Sequence, residues 1–319
     1  MRRRDFLALL GAATACPPRA HARDWPARVV RIICPLAAGG GIDATSRIVG
    51  ARLAEIWSQQ VVVENKTGAS GNIAAELVAH AEPDGYTIYM ATFPHATNRF
   101  LYASLSYDPV ADFTPIILIG LYPLMMVVPN SSPAHSVAEF IAYAKTRKLS
   151  YASSGHGTSL HLAAELFKRA AGIDMTHIPY RGAGPAFTDL IPGRVDAMIN
   201  FVSSSLPLVQ SGRLRGLAVA TATRLEVAPD LPTMAEAGVP GVEVSSWAGL
   251  LGPAKTPADI VAKIHADTVA AIADPAVWAN LEKGGVVLVG STPDELGAFL
   301  RTEMDKWGRV IREGNIKAE

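Results

Sequence analysis

Cysteine is nearly absent. The 319-residue chain has two, Cys16 and Cys34, and the first lies in a segment that reads as a cleaved leader. With Cys34 alone left, no internal disulfide can form, and the fold must rest on its packed core. Within Val29-Val30-Arg31-Ile32-Ile33-Cys34 the thiol reads as a buried strand residue, not a nucleophile. Long apolar runs are lacking too. The longest, Ile116 to Val128, is broken by Gly120 and Pro123, whereas a membrane-spanning helix needs about 20 apolar residues. Neither sign of charge is in excess, with 29 basic and 29 acidic residues. Loss of residues 1–22 would remove Arg2, Arg3, Arg4, Arg19 and Asp5, leaving 25 basic against 28 acidic, a net charge of −3. That balance has none of the clustered basic face nucleic-acid binding requires. Nucleotide fingerprints are missing: neither G-x-G-x-x-G nor G-x-x-x-x-G-K-[ST] occurs.

What is present begins at the N-terminus. Arg2, Arg3 and Arg4 form a positive start, Phe6 to Ala15 is apolar, and Ala20-His21-Ala22 fits a small-x-small cleavage site. Residues 1–22 therefore read as an export signal, and the mature chain as periplasmic. Arg3-Arg4-Asp5-Phe6-Leu7 also fits a twin-arginine signal, so folded and unfolded export both stay open. Ala13-Thr14-Ala15-Cys16 is a poor lipobox and ranks below cleavage after Ala22.

The mature chain alternates strand and helix, which predicts parallel βαβ units. Strands are expected at Val29 to Cys34, Gln60 to Glu64, Tyr86 to Ala91, Ser150 to Ser153, Met175 to Tyr180, Val195 to Asn200 and Leu214 to Ala220. Helices are expected from Asp43 to Trp57, from Gly68-Ala69-Ser70-Gly71 through Ala81, and from Thr158 to Ala171, with Gly172 as the stop. Pro185 suits the first position of a further short helix. In the tail, Thr256-Pro257 and Ser291-Thr292-Pro293 each read as a hydroxyl cap followed by proline at the first helical position. The pattern divides into one lobe of 23–122 plus 247–319 and another of 123–246. Two crossovers, near 114–128 and 242–250, would act as hinges.

Two glycine loops precede helices, Gly39-Gly40-Gly41 and Gly155-His156-Gly157-Thr158. A helix start offers free backbone N–H groups and the positive end of its dipole, and glycine admits a ligand to that backbone. One such loop per lobe could hold the two ends of a small carboxylate; glycine at a strand-to-helix turn is equally ordinary turn chemistry. Asp43, at a helix start, reads more strongly as a cap than as a ligand contact; Arg47, a turn further in, reads as pairing with a carboxylate or covering the helix and not as a ligand clamp. Arg181 lies in a candidate loop whose lining is expected to be backbone. Histidines 95, 156, 161 and 177 lack metal-ligand spacing. A serine hydrolase is disfavoured because G-x-S-x-G is absent.

The run Pro35-Leu36-Ala37-Ala38-Gly39-Gly40-Gly41-Ile42-Asp43 with Arg47 resembles the opening of the Bug family, the solute receptors of tripartite tricarboxylate transporters. Glu64-Asn65-Lys66-Thr67-Gly68-Ala69-Ser70-Gly71-Asn72-Ile73, Pro83-Asp84-Gly85-Tyr86-Thr87 and Gly155-His156-Gly157-Thr158-Ser159-Leu160-His161-Leu162 extend the resemblance. So do Pro179-Tyr180-Arg181-Gly182, Pro232-Thr233-Met234-Ala235-Glu236-Ala237-Gly238 and Trp247. It covers nearly the whole mature chain, in family order. It implies a two-lobed α/β fold like that of periplasmic binding proteins (type II topology), each lobe a sheet flanked by helices. It also implies a receptor that takes a small carboxylate to integral-membrane transporter subunits, without a cofactor, without nucleic acid and as a monomer. The matching ligand positions are Gly39, Gly40, Gly41, Asp43, Ser70 and Thr92 in the first lobe, and Ser154, Thr158, Gly182 and Ala183 in the second; Asn200 is added at a strand end. Two departures stand out. Ile42 replaces a usual hydroxyl residue, and Asn200 stands where Asp is common, which favours a dicarboxylate or aromatic carboxylate over an amino acid. A ligand sensor and an exported hydrolase are the alternative readings.

Overall fold

The computed structural model describes residues 25–317; the expected signal, its twin arginines and the lipobox lie outside them. The chain runs β1 Val30–Cys34, α1 Gly41–Trp57, β2 Val61–Asn65, a 3-10 turn Ala69–Gly71, α2 Asn72–Ala79, β3 Thr87–Thr92, α3 Phe93–Leu101, β4 Phe113–Pro129 and α4 Val137–Ala144. It continues with β5 Leu149–Ser153, α5 Ser159–Ala171, β6 Met175–Pro179, α6 Ala183–Leu190, β7 Ala197–Phe201, α7 Val202–Gln210 and β8 Leu214–Val219. The last stretch holds β9 Ser245–Pro253, α8 Ala258–Ala273, α9 Pro275–Lys283, β10 Val287–Leu288 and α10 Pro293–Glu313.

Two sheets share β4. Its first part pairs antiparallel with β9 from Phe113 to Pro123; its last part pairs with β7 from Leu124 and with β8 through Pro129. On the β9 side lie β3, β1 and β2, giving the path β2-β1-β3-β9-β4. On the β7 side lie β5 and β6. β1, β2 and β3 are mutually parallel, as are β5, β6 and β7.

The strands are apolar on both faces because helices cover both. In β1, Ile33 enters one core cluster and Val30, Ile32 and Cys34 the other; in β3, Tyr89 and Ala91 face away from Ile88 and Met90. Cys34 is fully buried, and burial pushes its thiol pKa up.

Two of the three proline-marked helix starts differ from the expectation. α6 begins at Ala183 with Gly182 as its cap, so Pro185 is the third helical residue. Gly182, at φ 120°, makes the turn two residues earlier than a proline start would. α8 is capped by Pro257 itself, with no side-chain cap bond. The Thr256 hydroxyl instead donates to the carbonyl of Pro253 at 2.8 Å.

Candidate functional site: facing strand ends

The directions of the strands bring two sets of carboxyl ends together. β4 runs parallel to β3 and leaves its sheet at the edge where β1 and β3 end. In the second sheet β7 runs against β4, so that its last residue, Phe201, pairs with Leu124. Thr92 at the end of β3 pairs with Ala248, which pairs with Gly120. The carboxyl ends of both parallel sets therefore face one another across β4 near residues 120–124. Carboxyl ends of strands are where open α/β sheets bind ligands.

Every sequence-predicted site residue lies at such an end or in the turn or helix start that follows it. Gly39, Gly40 and Gly41 link β1 to α1, and Gly40 caps α1 with extended backbone (φ −80°, ψ 166°) and no side-chain cap bond. The first N–H groups of α1 therefore have no intrahelical acceptor and no side-chain cap. Gly39 needs its glycine, at φ 85°; Gly40 does not, and a Cβ there would lie an ordinary 3.5 Å from the carbonyl of Ala37. Ser70 follows β2, is exposed, and accepts from the Tyr102 hydroxyl at 3.2 Å. Thr92 is buried at the end of β3 and caps α3 without a side-chain bond.

Asp43 is the anchor of the first loop. Only 3% exposed, it accepts from the Gly39 N–H at 2.8 Å, from Asn65 Nδ2 at 2.8 Å and from Arg47 Nε at 3.0 Å. Arg47 closes the ring by donating to Asn65 Oδ1 at 2.9 Å. Arg47 first, then the donors from Gly39 and Asn65, hold the Asp43 pKa down at about 2. Its carboxylate thus fixes the loop that carries the open N–H groups.

In the second parallel set of strands, Ser154 follows β5 and Thr158 caps α5. The Thr158 hydroxyl donates to the carbonyl of Gly155 at 2.9 Å and accepts from the His161 N–H at 3.3 Å. Gly182 and Ala183 open α6 after β6, again with no side-chain cap. Asn200 is fully buried in β7, donates to the hydroxyls of Ser204 (3.0 Å) and Ser205 (3.1 Å), and its Oδ1 has no partner among the described residues.

Three features escaped the sequence reading. Tyr122 donates to or accepts from Thr45 at 2.6 Å and packs its ring 6.4 Å from Phe201; it ties α1 to the point where β4 changes partners. Asn65, at the end of β2, locks Asp43; its place after a strand and before a glycine was the available signal. His156, His161 and His177 come together from separate segments, with ring nitrogens within 4.8 Å of one another. His161 and His177 stack at 4.0 Å. The Gly157 N–H donates to His161 Nδ1 at 3.0 Å, and His177 Nε2 lies 2.7 Å from Ser153 Oγ. Burial chiefly, then neighbouring imidazoles, lowers the pKa of His161 to about 4 and of His177 to about 3. The Ser153–His177 contact has the look of a nucleophile and base, but Ser153 is fully buried and its hydroxyl donates to the carbonyl of Gly155 at 3.1 Å. A separate cavity of 720 Å³ lies between α7 and α9, and none of the predicted site residues lines it.

A mixed sheet continuous through one shared strand, with glycine-opened helices at facing strand ends, defines the class: this is the fold of the periplasmic solute-binding proteins. A protein of R. palustris solved with adipate is 39% identical, with a TM-score of 0.82 over 92% of this chain and 99% of that one. MatC from Rhodopseudomonas palustris, solved with bound malate, is 32% identical, with a TM-score of 0.78 over 90% of this chain and all of that one. BugT of Bordetella pertussis is 32% identical over 98% of this chain and 96% of its own length. The model of the tripartite tricarboxylate transporter family receptor matches residues 45–316. The chain belongs to that receptor family.

Proposed function

We propose that the protein is a periplasmic receptor that closes on a small carboxylate, without turning it over, and delivers it to a tripartite tricarboxylate-type membrane transporter. The observation that carries this reading is the convergence of the uncapped helix starts of α1 and α6 and the capped start of α5 on one pair of facing edges. Backbone donors at Gly41, Gly182 and Ala183, with Ser70, Thr92 and Ser154 hydroxyls, supply donors for carboxylate groups at either end; the Gly40 N–H is taken by the carbonyl of Ala37 at 3.4 Å, so Gly40 serves by leaving that backbone bare. Four or five charge-assisted bonds of about 1.5–3 kcal/mol each, less the cost of association, correspond to a Kd on the order of micromolar. Ile42, 8% exposed, and Asn200 in place of a carboxylate favour a dicarboxylate or aromatic carboxylate over an amino acid. The family's relatives solved with adipate and malate make those two acids the first to test.

The test is calorimetric titration of mature protein with adipate, malate and aromatic carboxylates. Gly40→Val is expected to abolish binding while the melting temperature stays within a few degrees, because the Gly40 backbone needs no glycine. Unchanged affinity would remove the loop from the site, and turnover of a bound acid would overturn the receptor reading. Normal uptake of the acid by a strain lacking the protein would replace delivery with sensing.

A further inference from the structure

The two sheets meet at a second place, away from the predicted ligand residues. The cavity between α7 and α9 has Val202, Ser203 and Leu206 on one wall and Trp278, Val286 and Val287 on the other. One wall follows β7, which pairs with the last part of β4, and the other leads into β10, which pairs with its first part, so the walls flank the place where β4 passes from one sheet to the other. Trp278 and Val287 are 47% and 46% exposed, so this seam is not sealed by packing. It is tight at Gly285. A Cβ built on Gly285 would lie 2.4 Å from Cβ of Ser203 and 3.4 Å from its Cα. The first distance is far inside van der Waals contact, and the atom it meets is not the far end of a flexible chain. Gly285 itself is held at φ 81°. The link it sits in is pinned on its own side: the Gly285 N–H donates to the carbonyl of Glu282 at 2.8 Å and the Val286 N–H to that of Leu281 at 3.1 Å. A larger group at this contact must therefore push α7 and its sheet away from α9 and β10.

We propose that Gly285 and Ser203 are positioning residues: their bare contact sets how closely the two sheets approach, and hence how well the facing strand ends fit a ligand. This rests on the receptor reading above. No ligand need touch either residue for them to control affinity, since a ligand that bridges both lobes binds in proportion to the share of molecules in the closed arrangement.

The experiment places spin labels at Glu55→Cys in α1 and Asp174→Cys beyond α5, both exposed, in protein whose native Cys34 is buried. The interlabel distance and the adipate affinity are measured in four backgrounds: wild type, Gly285→Ala, Ser203→Leu, and Gly285→Ala with Ser203→Gly. Both single variants are expected to lengthen the distance in ligand-free protein and to weaken adipate binding by tenfold or more. The double variant keeps the strained backbone of an alanine at position 285 but removes the atoms it meets, so it is expected to restore distance and affinity. Ser203→Leu, at an exposed position of α7, guards against a folding defect in the glycine variant. Unchanged distance in both single variants, or no restoration in the double, overturns the proposal. If wild type binds none of the carboxylates, the receptor reading fails, while the ligand-free distances still decide the seam.

Discussion

At the scale of single residues, Asp43 carries the loop between β1 and α1. Its carboxylate holds Gly39, Asn65 and Arg47 at once, and each such charged bond is worth about 1.5–3 kcal/mol. Asp43→Ala is expected to lower unfolding free energy by about 2–4 kcal/mol in urea titration and to weaken ligand binding through loss of loop geometry. Its pKa is depressed to about 2, so its contribution is complete above the ordinary carboxylate value and disappears as pH falls from about 4 through about 2. Asp43→Asn should remove that acid slope from the stability profile; an unchanged slope would place the loop's anchor elsewhere. The histidines act in a different window. His161 and His177 have folded pKa values of about 4 and about 3, below the ordinary value of about 6.5. The unfolded chain binds more protons between those limits, so stability should fall as pH drops from about 6.5 toward 4. His161→Phe, keeping ring and burial, should flatten that fall in denaturant midpoints measured across the range.

Among the elements, helix starts were more legible than helix identities. Thr292 is expected as a cap from a hydroxyl before a proline, and it accepts the Glu295 N–H; Thr158, expected as the first residue of its helix, is instead its cap and accepts the His161 N–H. Thr292 completes a capping box with Glu295, so Thr292→Ala should cost about 1 kcal/mol, read as a lowered melting temperature. Thr256 misled because a Ser/Thr-Pro pair signals a start only when the hydroxyl points along the helix; here it turns back to Pro253. Helices α3, α4, α7 and α9 were not anticipated. They are short, and α3 and α7 begin directly after a strand, with no loop to mark the change of period. The site was legible to the extent that glycine loops follow strands. Tyr122, Asn65 and the histidine cluster were not, because each gains its meaning from partners brought near by the fold, such as Tyr122 and Thr45, which are 77 residues apart.

For the whole molecule, closure is the observable. Small-angle scattering is expected to show a smaller radius of gyration with saturating adipate than without it, since ligand bridging both lobes stabilises the compact arrangement; equal compactness would argue for a preformed site. The shared strand β4 also has a consequence for how the chain comes to be folded. β1, β2 and β3 are all made before residue 93, yet β3 gains its other neighbour only from β9, at Ser245–Pro253, and β10 follows later still. Pairings of such sequence separation are slow to form because loop closure precedes their reward. A growing chain therefore keeps its first sheet unfinished until most of its length has been synthesised. The glycine loop ahead of α1, among the earliest parts to emerge, is among the last to have its surroundings completed.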